Sequence, residues 1–147
     1  MNSQQIFDVL LVEDNAQDAE MIRWALKKLN LAERILTLTD GAEAVDFLFG
    51  RGNHAERNPD ARPKVIFLDL KLPSLDGIEV LKKIKGDENM KLIPVVVLTS
   101  SHEHRDVEDS YKLGVNSYVV KPVNSELFDK SVREMGSYWM SLNRAPA

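Results

Sequence analysis

Five short apolar runs punctuate the chain, at Phe7–Val12, Arg34–Leu38, Lys64–Asp69, Pro94–Thr99 and Ser117–Lys121. They are rich in Val, Ile, Leu and Phe and too short for helices. Two of them are almost continuously apolar, as strands covered on both faces are. Amphipathic segments lie between them. The first carries Ala19, Ile22, Leu26 and Leu29 at helical spacing, with Lys27 and Lys28 near its C-terminal end, where cations are favoured. The second opens on Asp40 and Glu43 at capping-box spacing. The third places Ile78, Leu81 and Ile84 before Gly86. The fourth, between His102 and Leu113, is thin, with only Val107, Tyr111 and Leu113 as anchors. The last runs from about Ser125 to Leu142, with Asn124 or Ser125 as its N-cap and Phe128, Val132, Met135, Trp139 and Leu142 on one face.

Alternating strands and helices predict an α/β fold with a parallel sheet, right-handed crossovers and helices on both faces. The chain reads as one domain over residues 1–147, its core spanning about 6–142, with no room for an output domain. Gly50–Arg62 reads as an exposed loop and Asn143–Ala147 as a frayed tail. Within that loop, Gly50-Arg51-Gly52-Asn53-His54-Ala55 matches a dinucleotide-binding spacing, but it follows a helix instead of a strand, so that reading is rejected.

In an open parallel sheet, ligands bind beyond the carboxyl ends of the strands, where strand order reverses. The runs end in Glu13-Asp14, Asp69, Thr99-Ser100 and Lys121-Pro122. Three carboxylates gathered there repel one another unless a cation joins them. A hard divalent ion, Mg2+ or Mn2+, takes oxygen ligands and is completed by phosphate oxygens. A carboxylate can also act as a nucleophile and form an acyl phosphate. Lys121 and the cation then supply charge, and Thr99 a hydroxyl donor.

Composition narrows the field. Hydrophobic residues at 44% and charged residues at 29% describe an ordinary globular chain. The absence of cysteine excludes disulfides and thiolate metal sites and fits a reducing cytoplasm. Residues 1–5 carry no export signal, and no run approaches the roughly 20 apolar residues of a membrane span. A net charge of −4 argues against a DNA-binding surface. His102 and His104, flanking Glu103, lack a third ligand, and Lys82, Lys83 and Lys85 read as a solvated helix face.

Four blocks then carry a resemblance across nearly the whole chain: Val9–Asp14, Val65–Gly77 with Asp69 at its centre, Pro94–Thr99 and Tyr118–Pro122. Together they resemble the receiver family of response regulators, the phosphoryl-accepting switches of two-component signal transduction. The resemblance implies a flavodoxin-like sheet of order 2-1-3-4-5 with five helices. It implies that Asp69 accepts a phosphoryl group from a sensor histidine kinase. Glu13, Asp14, Asp69 and the Lys71 carbonyl would surround the metal, Thr99 and Lys121 would contact the phosphoryl oxygens, and Tyr118 would be the aromatic switch. It also implies a cis bond between Lys121 and Pro122.

The Gly50–Arg62 insertion, Thr99–His102 and the Tyr138-Trp139 ending are similar to single-domain regulators paired with phytochrome-type kinases. The expected output is a change in partner binding or a homodimer through the last two helices and the fifth strand. Such a switch catalyses only its own phosphorylation and dephosphorylation. The enzyme alternative, a haloacid-dehalogenase-like phosphatase, needs a second Asp where Lys71 stands. A flavodoxin-like binding protein needs a Ser/Thr/Gly-rich loop where Glu13-Asp14 stand. A degenerate, docking-only receiver would have lost the acidic residues that this chain keeps.

Overall fold

The computed structural model describes residues 7–30 and 34–146. The expectations for residues 1–5 and for a core beginning at residue 6 lie outside the described residues. Strands β1 (Val9–Val12), β2 (Ile35–Leu38), β3 (Val65–Leu68), β4 (Val95–Thr99) and β5 (Ser117–Val120) form one parallel sheet in the order β2-β1-β3-β4-β5. Helices α1 (Ala16–Lys27), α2 (Gly41–Phe49), α3 (Gly77–Lys85), α4 (His104–Lys112) and α5 (Ser125–Ser137) connect or follow them. This is the expected flavodoxin-like order.

Strand side chains alternate between two cores. Leu10, Val12, Ile66, Leu68, Val95 and Val97 pack with α2 and α3, while Val9, Leu11, Val65, Phe67, Val96 and Leu98 pack with α1 and α5. Every one of these is buried, which is why β1, β3 and β4 read as continuous apolar runs and not as alternating ones. The register pairs Val12 with both Leu38 and Leu68, so β1 and β3 end level with one another. Chain order reverses at β1, and the crevice opens there.

Two of the helix caps, Asp40 and Asn124, are those read from the sequence. Asp40 accepts from the Glu43 N–H at 3.0 Å, Asp76 from Glu79, Asn15 from Asp18, and Asn124 from Glu126 and Leu127. Helix α4 has no such cap, and its one fully buried residue is Ser110, whose hydroxyl donates back to the Asp106 carbonyl.

Four expectations need correction. On α3 the buried residues are Val80, Leu81 and Ile84, and Ile78 is only partly covered, because the face turned to the sheet begins one position later. The last helix does not run unbroken to Leu142. After α5 the chain widens into a π turn over Tyr138–Leu142, which rotates the face, buries Met140 and leaves Leu142 78% exposed. Lys85 does not belong to a solvated face. Its ammonium donates to the Lys91 and Ile93 carbonyls and to Asn116 Oδ1, joining α3 to the starts of β4 and β5. Finally, the described residues contain no cis peptide bond, so Lys121–Pro122 is trans. An X–Pro bond prefers trans by only about 0.5–1 kcal/mol, and here the Lys121 N–H bonds the Thr99 carbonyl in that form.

The Gly50–Arg62 connection is exposed along most of its length but more ordered than its composition implies. Gly50 closes α2 in the left-handed conformation and so belongs to a helix cap, not to a nucleotide loop. The Arg57 guanidinium then lies 3.9 Å from the centre of the Phe47 ring and donates to the Phe47 and Ala61 carbonyls.

Candidate functional site at the strand ends

Glu13 follows β1 directly and is 1% exposed; Asp69 follows β3 and is 7% exposed. Two buried carboxylates side by side need a reason, and the ladder supplies it: β1 and β3 are neighbours in register, so the residues after them meet. Asp14, one residue on, is exposed. Oxygens of Glu13, Asp14 and Asp69 all lie within 4.8 Å of one another.

The loop after β3 is fixed from below by close backbone approaches. The Gly77 N–H donates to the Leu70 carbonyl at 2.8 Å, and a Cβ at Gly77 would collide with the Asp69 carbonyl oxygen. Gly41, at the start of α2, meets the same loop from the other side, donating to the Pro73 carbonyl. Ser74, at φ 66°, turns its hydroxyl to Asp40 at 2.6 Å. That bond, with the Glu43 N–H, holds the Asp40 carboxyl below its ordinary range. Helix α2 therefore braces the loop that carries Asp69.

Asp69 Oδ1 accepts the backbone N–H groups of Leu70 at 2.7 Å and Lys71 at 3.4 Å, while Oδ2 accepts the Lys121 ammonium at 2.9 Å. One oxygen is thus tied to the backbone, and the other to a side chain that can move. Lys121, with its side chain 7% exposed, also contacts Glu13 Oε1 at 2.7 Å and Asp18 Oδ2 at 2.8 Å, so all three of its N–H bonds point at carboxylates. The other Glu13 oxygen accepts from the Asn15 N–H.

The electrostatics follow from this packing. Burial pushes the Glu13 carboxyl up to about 7, with Asp69 adding to the rise and Lys121 opposing it. Burial also presses on Asp69, but hydrogen bonds from Glu13, Lys121 and Thr99 outweigh it and hold that carboxyl below its ordinary range. Burial would lower Lys121, yet its three carboxylate partners keep it above the usual lysine value. Three carboxylates sharing one ammonium leave uncompensated negative charge. An oxygen-only donor set with surplus negative charge fits a hard divalent cation.

Thr99 ends β4 fully buried, its hydroxyl 3.4 Å from the Ser101 N–H. Tyr118, on β5, is half-buried against the α2–α3 core, and its hydroxyl donates to the Ser101 carbonyl at 2.9 Å. Ser101 in turn donates to Asp106 in the first turn of α4 at 2.5 Å. Strand ends β4 and β5 are therefore wired to α4 through Ser101. Trp139 packs in the other core, across the sheet from Tyr118.

Lys71 is exposed and, with Asp14, Asp76 and Asp106, lines a cavity of about 550 Å³ at the mouth of the site. His102 and His104 are both exposed and join no cluster of metal-ligating side chains among the described residues. Two participants were not legible from the chain alone. Asp18 reads as an acidic first-turn residue of α1, and Ser101 as one polar residue among several. Spacing to β1 and β4 could have raised either, but only the folded loops bring them in.

The response regulator receiver domain model matches residues 9–133. A probable methanogenesis regulatory protein, FilR2 of Methanothrix harundinacea, is 40% identical over 146 residues, covering 99% of this chain and 92% of its own. Response regulator Rcp1 of Synechocystis sp. is 42% identical over 139 residues, covering 95% of this chain and 92% of its own. The crystal structure of the Mn2+-bound form of Rcp1 superposes with a TM-score of 0.88, at 40% identity, covering 95% of this chain and 98% of that one. The phosphorylated cyanobacterial phytochrome response regulator RcpA superposes with a TM-score of 0.89, at 38% identity, covering 97% of this chain and all of that one, 100%. Family-model match, near-complete relatives and strand order agree, and the phosphatase and flavodoxin alternatives find no support among them. This chain belongs to the response regulator receiver domain family.

Proposed function

We propose that Asp69 is the phosphoryl acceptor of this receiver and that residues 1–147 act as a single switch domain. The observation that carries the reading is the asymmetry of the Asp69 carboxylate. Oδ1 is fixed by backbone N–H groups, while Oδ2 faces the Lys121 side chain. Oδ2 is the nucleophile. It attacks the phosphorus of a phosphohistidine on a sensor kinase, the P–O bond forms, the P–N bond breaks, and the departing imidazole nitrogen takes a proton from water. Lys121 and the Thr99 hydroxyl then bind phosphoryl oxygens. Glu13, Asp14, Asp69 and the Lys71 carbonyl would hold Mg2+ or Mn2+, which would supply positive charge to offset the negative charge of the phosphoryl group. The Mn2+-bound form of the similar Rcp1 supports this cation. Beyond this self-modification the domain turns over no external substrate.

The similarity to phytochrome response regulators supports a phytochrome-type histidine kinase as donor. Signal output runs through the Thr99–Ser101–Tyr118 connection to α4 and β5, changing partner binding or self-association on that face, including a homodimer. Net charge of −4 speaks against DNA as the partner. No helix among the described residues is long and apolar enough to cross a membrane. With its lack of cysteine, the chain fits a cytoplasmic location.

The test is direct. With magnesium and a small phosphodonor, intact-mass measurement should show one added phosphoryl group on the wild type and none on Asp69→Asn. Undiminished labelling of Asp69→Asn would overturn the assignment.

A further inference from the structure

Lys121 has three carboxylate partners, and they are not equivalent. Glu13 and Asp69 belong to the cluster whose oxygens converge within 4.8 Å with Asp14, and Asp18 does not. Asp18 comes instead from the first turn of α1, and its side chain is 26% exposed. With a cation held by the cluster, the Glu13 and Asp69 oxygens would be shared with it and would hold Lys121 less strongly. Phosphoryl transfer to Asp69 Oδ2 removes that oxygen as a partner altogether. Neither change would engage Asp18, whose contact with Lys121 is 2.8 Å.

Resting on the acceptor role of Asp69, we propose that Asp18 is a positioning residue that keeps the Lys121 ammonium over Asp69 when the other two carboxylates let go. A lysine side chain released into solvent has several rotatable bonds to reorder before it can meet a phosphoryl oxygen. An ammonium already anchored beside the nucleophile avoids that search, which is the advantage of preorganised charge. The anchor is itself held, because Asn15 caps α1 by accepting the Asp18 N–H at 2.9 Å, and the Asn15 N–H is bonded to Glu13. The plain alternative is that Asp18 only stabilises α1 as an acidic first-turn residue.

A double-mutant cycle on the full chain separates the two. Phosphorylation by phosphoramidate is followed at saturating magnesium for wild type, Asp18→Ala, Asp18→Asn, Lys121→Ala and the Asp18→Ala/Lys121→Ala pair, with magnesium affinity measured by calorimetry. Asp18→Ala should slow the maximal rate about tenfold and leave magnesium affinity nearly unchanged. Asp18→Asn, which keeps an oxygen acceptor, should recover much of the rate and serves as the folded control. In the Lys121→Ala background, Asp18→Ala should cost nothing further. A wild-type rate in Asp18→Ala, or the same fractional loss with and without Lys121, overturns the positioning role while leaving Asp69 as acceptor. Absence of labelling in the wild type overturns the acceptor reading and this inference with it.

Discussion

The Lys121 ammonium meets the Glu13 carboxyl at 2.7 Å with both side chains almost entirely out of water, at 7% and 1% exposure. Burial nonetheless lifts Glu13 to about 7, because one ammonium shared among three carboxylates does not neutralise them all. The site is built to be short of positive charge until a cation arrives.

That shortage has a pH signature in the metal-free protein. Unfolded Glu13 releases its proton near 4.5, whereas the folded protein keeps it until about 7, so across that window the native state binds more protons. Stability contributed by Glu13 therefore falls as pH rises from 4.5 to 7, by roughly 3 kcal/mol at most. Asp69 is shifted downward and Lys121 upward, so their contributions change only below 3.8 and above 10.5. Urea unfolding in EDTA should give a lower stability at pH 7 than at pH 5, and magnesium should flatten the difference. A stability that climbs with pH in EDTA would contradict the charge balance described for the site.

Magnesium should also raise the melting temperature at neutral pH. A ligand bound only to the native state adds about 1.4 kcal/mol at ten times its Kd. Asp14→Asn should blunt that response and stabilise the metal-free protein, since Asp14 adds an exposed negative charge beside two buried ones. Calorimetric melts with and without magnesium check both halves.

Gly77→Ala should damage the site without touching a charged residue. The added methyl would collide with the Asp69 carbonyl oxygen and the Leu70 backbone. Overpacking of this kind costs about 1–3 kcal/mol and displaces the loop carrying the nucleophile. Both a lower urea midpoint and slower phosphorylation are expected.

Lys85→Met should separate stability from chemistry. It strands the Lys91 and Ile93 carbonyls and Asn116 Oδ1, at a cost of roughly 1–3 kcal/mol. Lys85 lies at the amino ends of β4 and β5, across the sheet from Asp69, so phosphorylation under folding conditions should be unchanged. The comparison needs only an unfolding curve and a labelling rate.

Tyr118→Ala should uncouple output from input. The Tyr118 hydroxyl is bonded to Ser101, which also holds Asp106 of α4, so loss of the ring removes a link from β5 to α4. Asp69 labelling should survive, while any phosphorylation-dependent mass change seen by light scattering should shrink. A strictly monomeric wild type in both states would restrict this face to heterologous partners.

What the sequence determined by itself was the set of strands and most of the helices. Val65–Leu68 and Val95–Val97 are apolar at every position because both sheet faces are covered, and no local pattern competes with that signal. Asp40 and Asn124 were legible as N-caps because a side-chain oxygen three residues or fewer from an orphan N–H is a local relationship. The polar residues that end those strands were visible for the same reason. Tertiary structure alone decided which polar residues are partners. Asp18 looks like any first-turn acid, and its bond to Lys121 spans 103 residues. Lys85 is indistinguishable from Lys82 and Lys83 along the helix, and only the arrival of Asn116 and the Ile93 carbonyl beneath it makes it a half-buried donor. Leu142 left the core because a π turn, which no periodicity announces, handed its place to Met140. Local patterns register the cost of burying apolar surface and of leaving helix ends uncapped. The pairing of charges depends on distances that exist only once the sheet has brought the strand ends together.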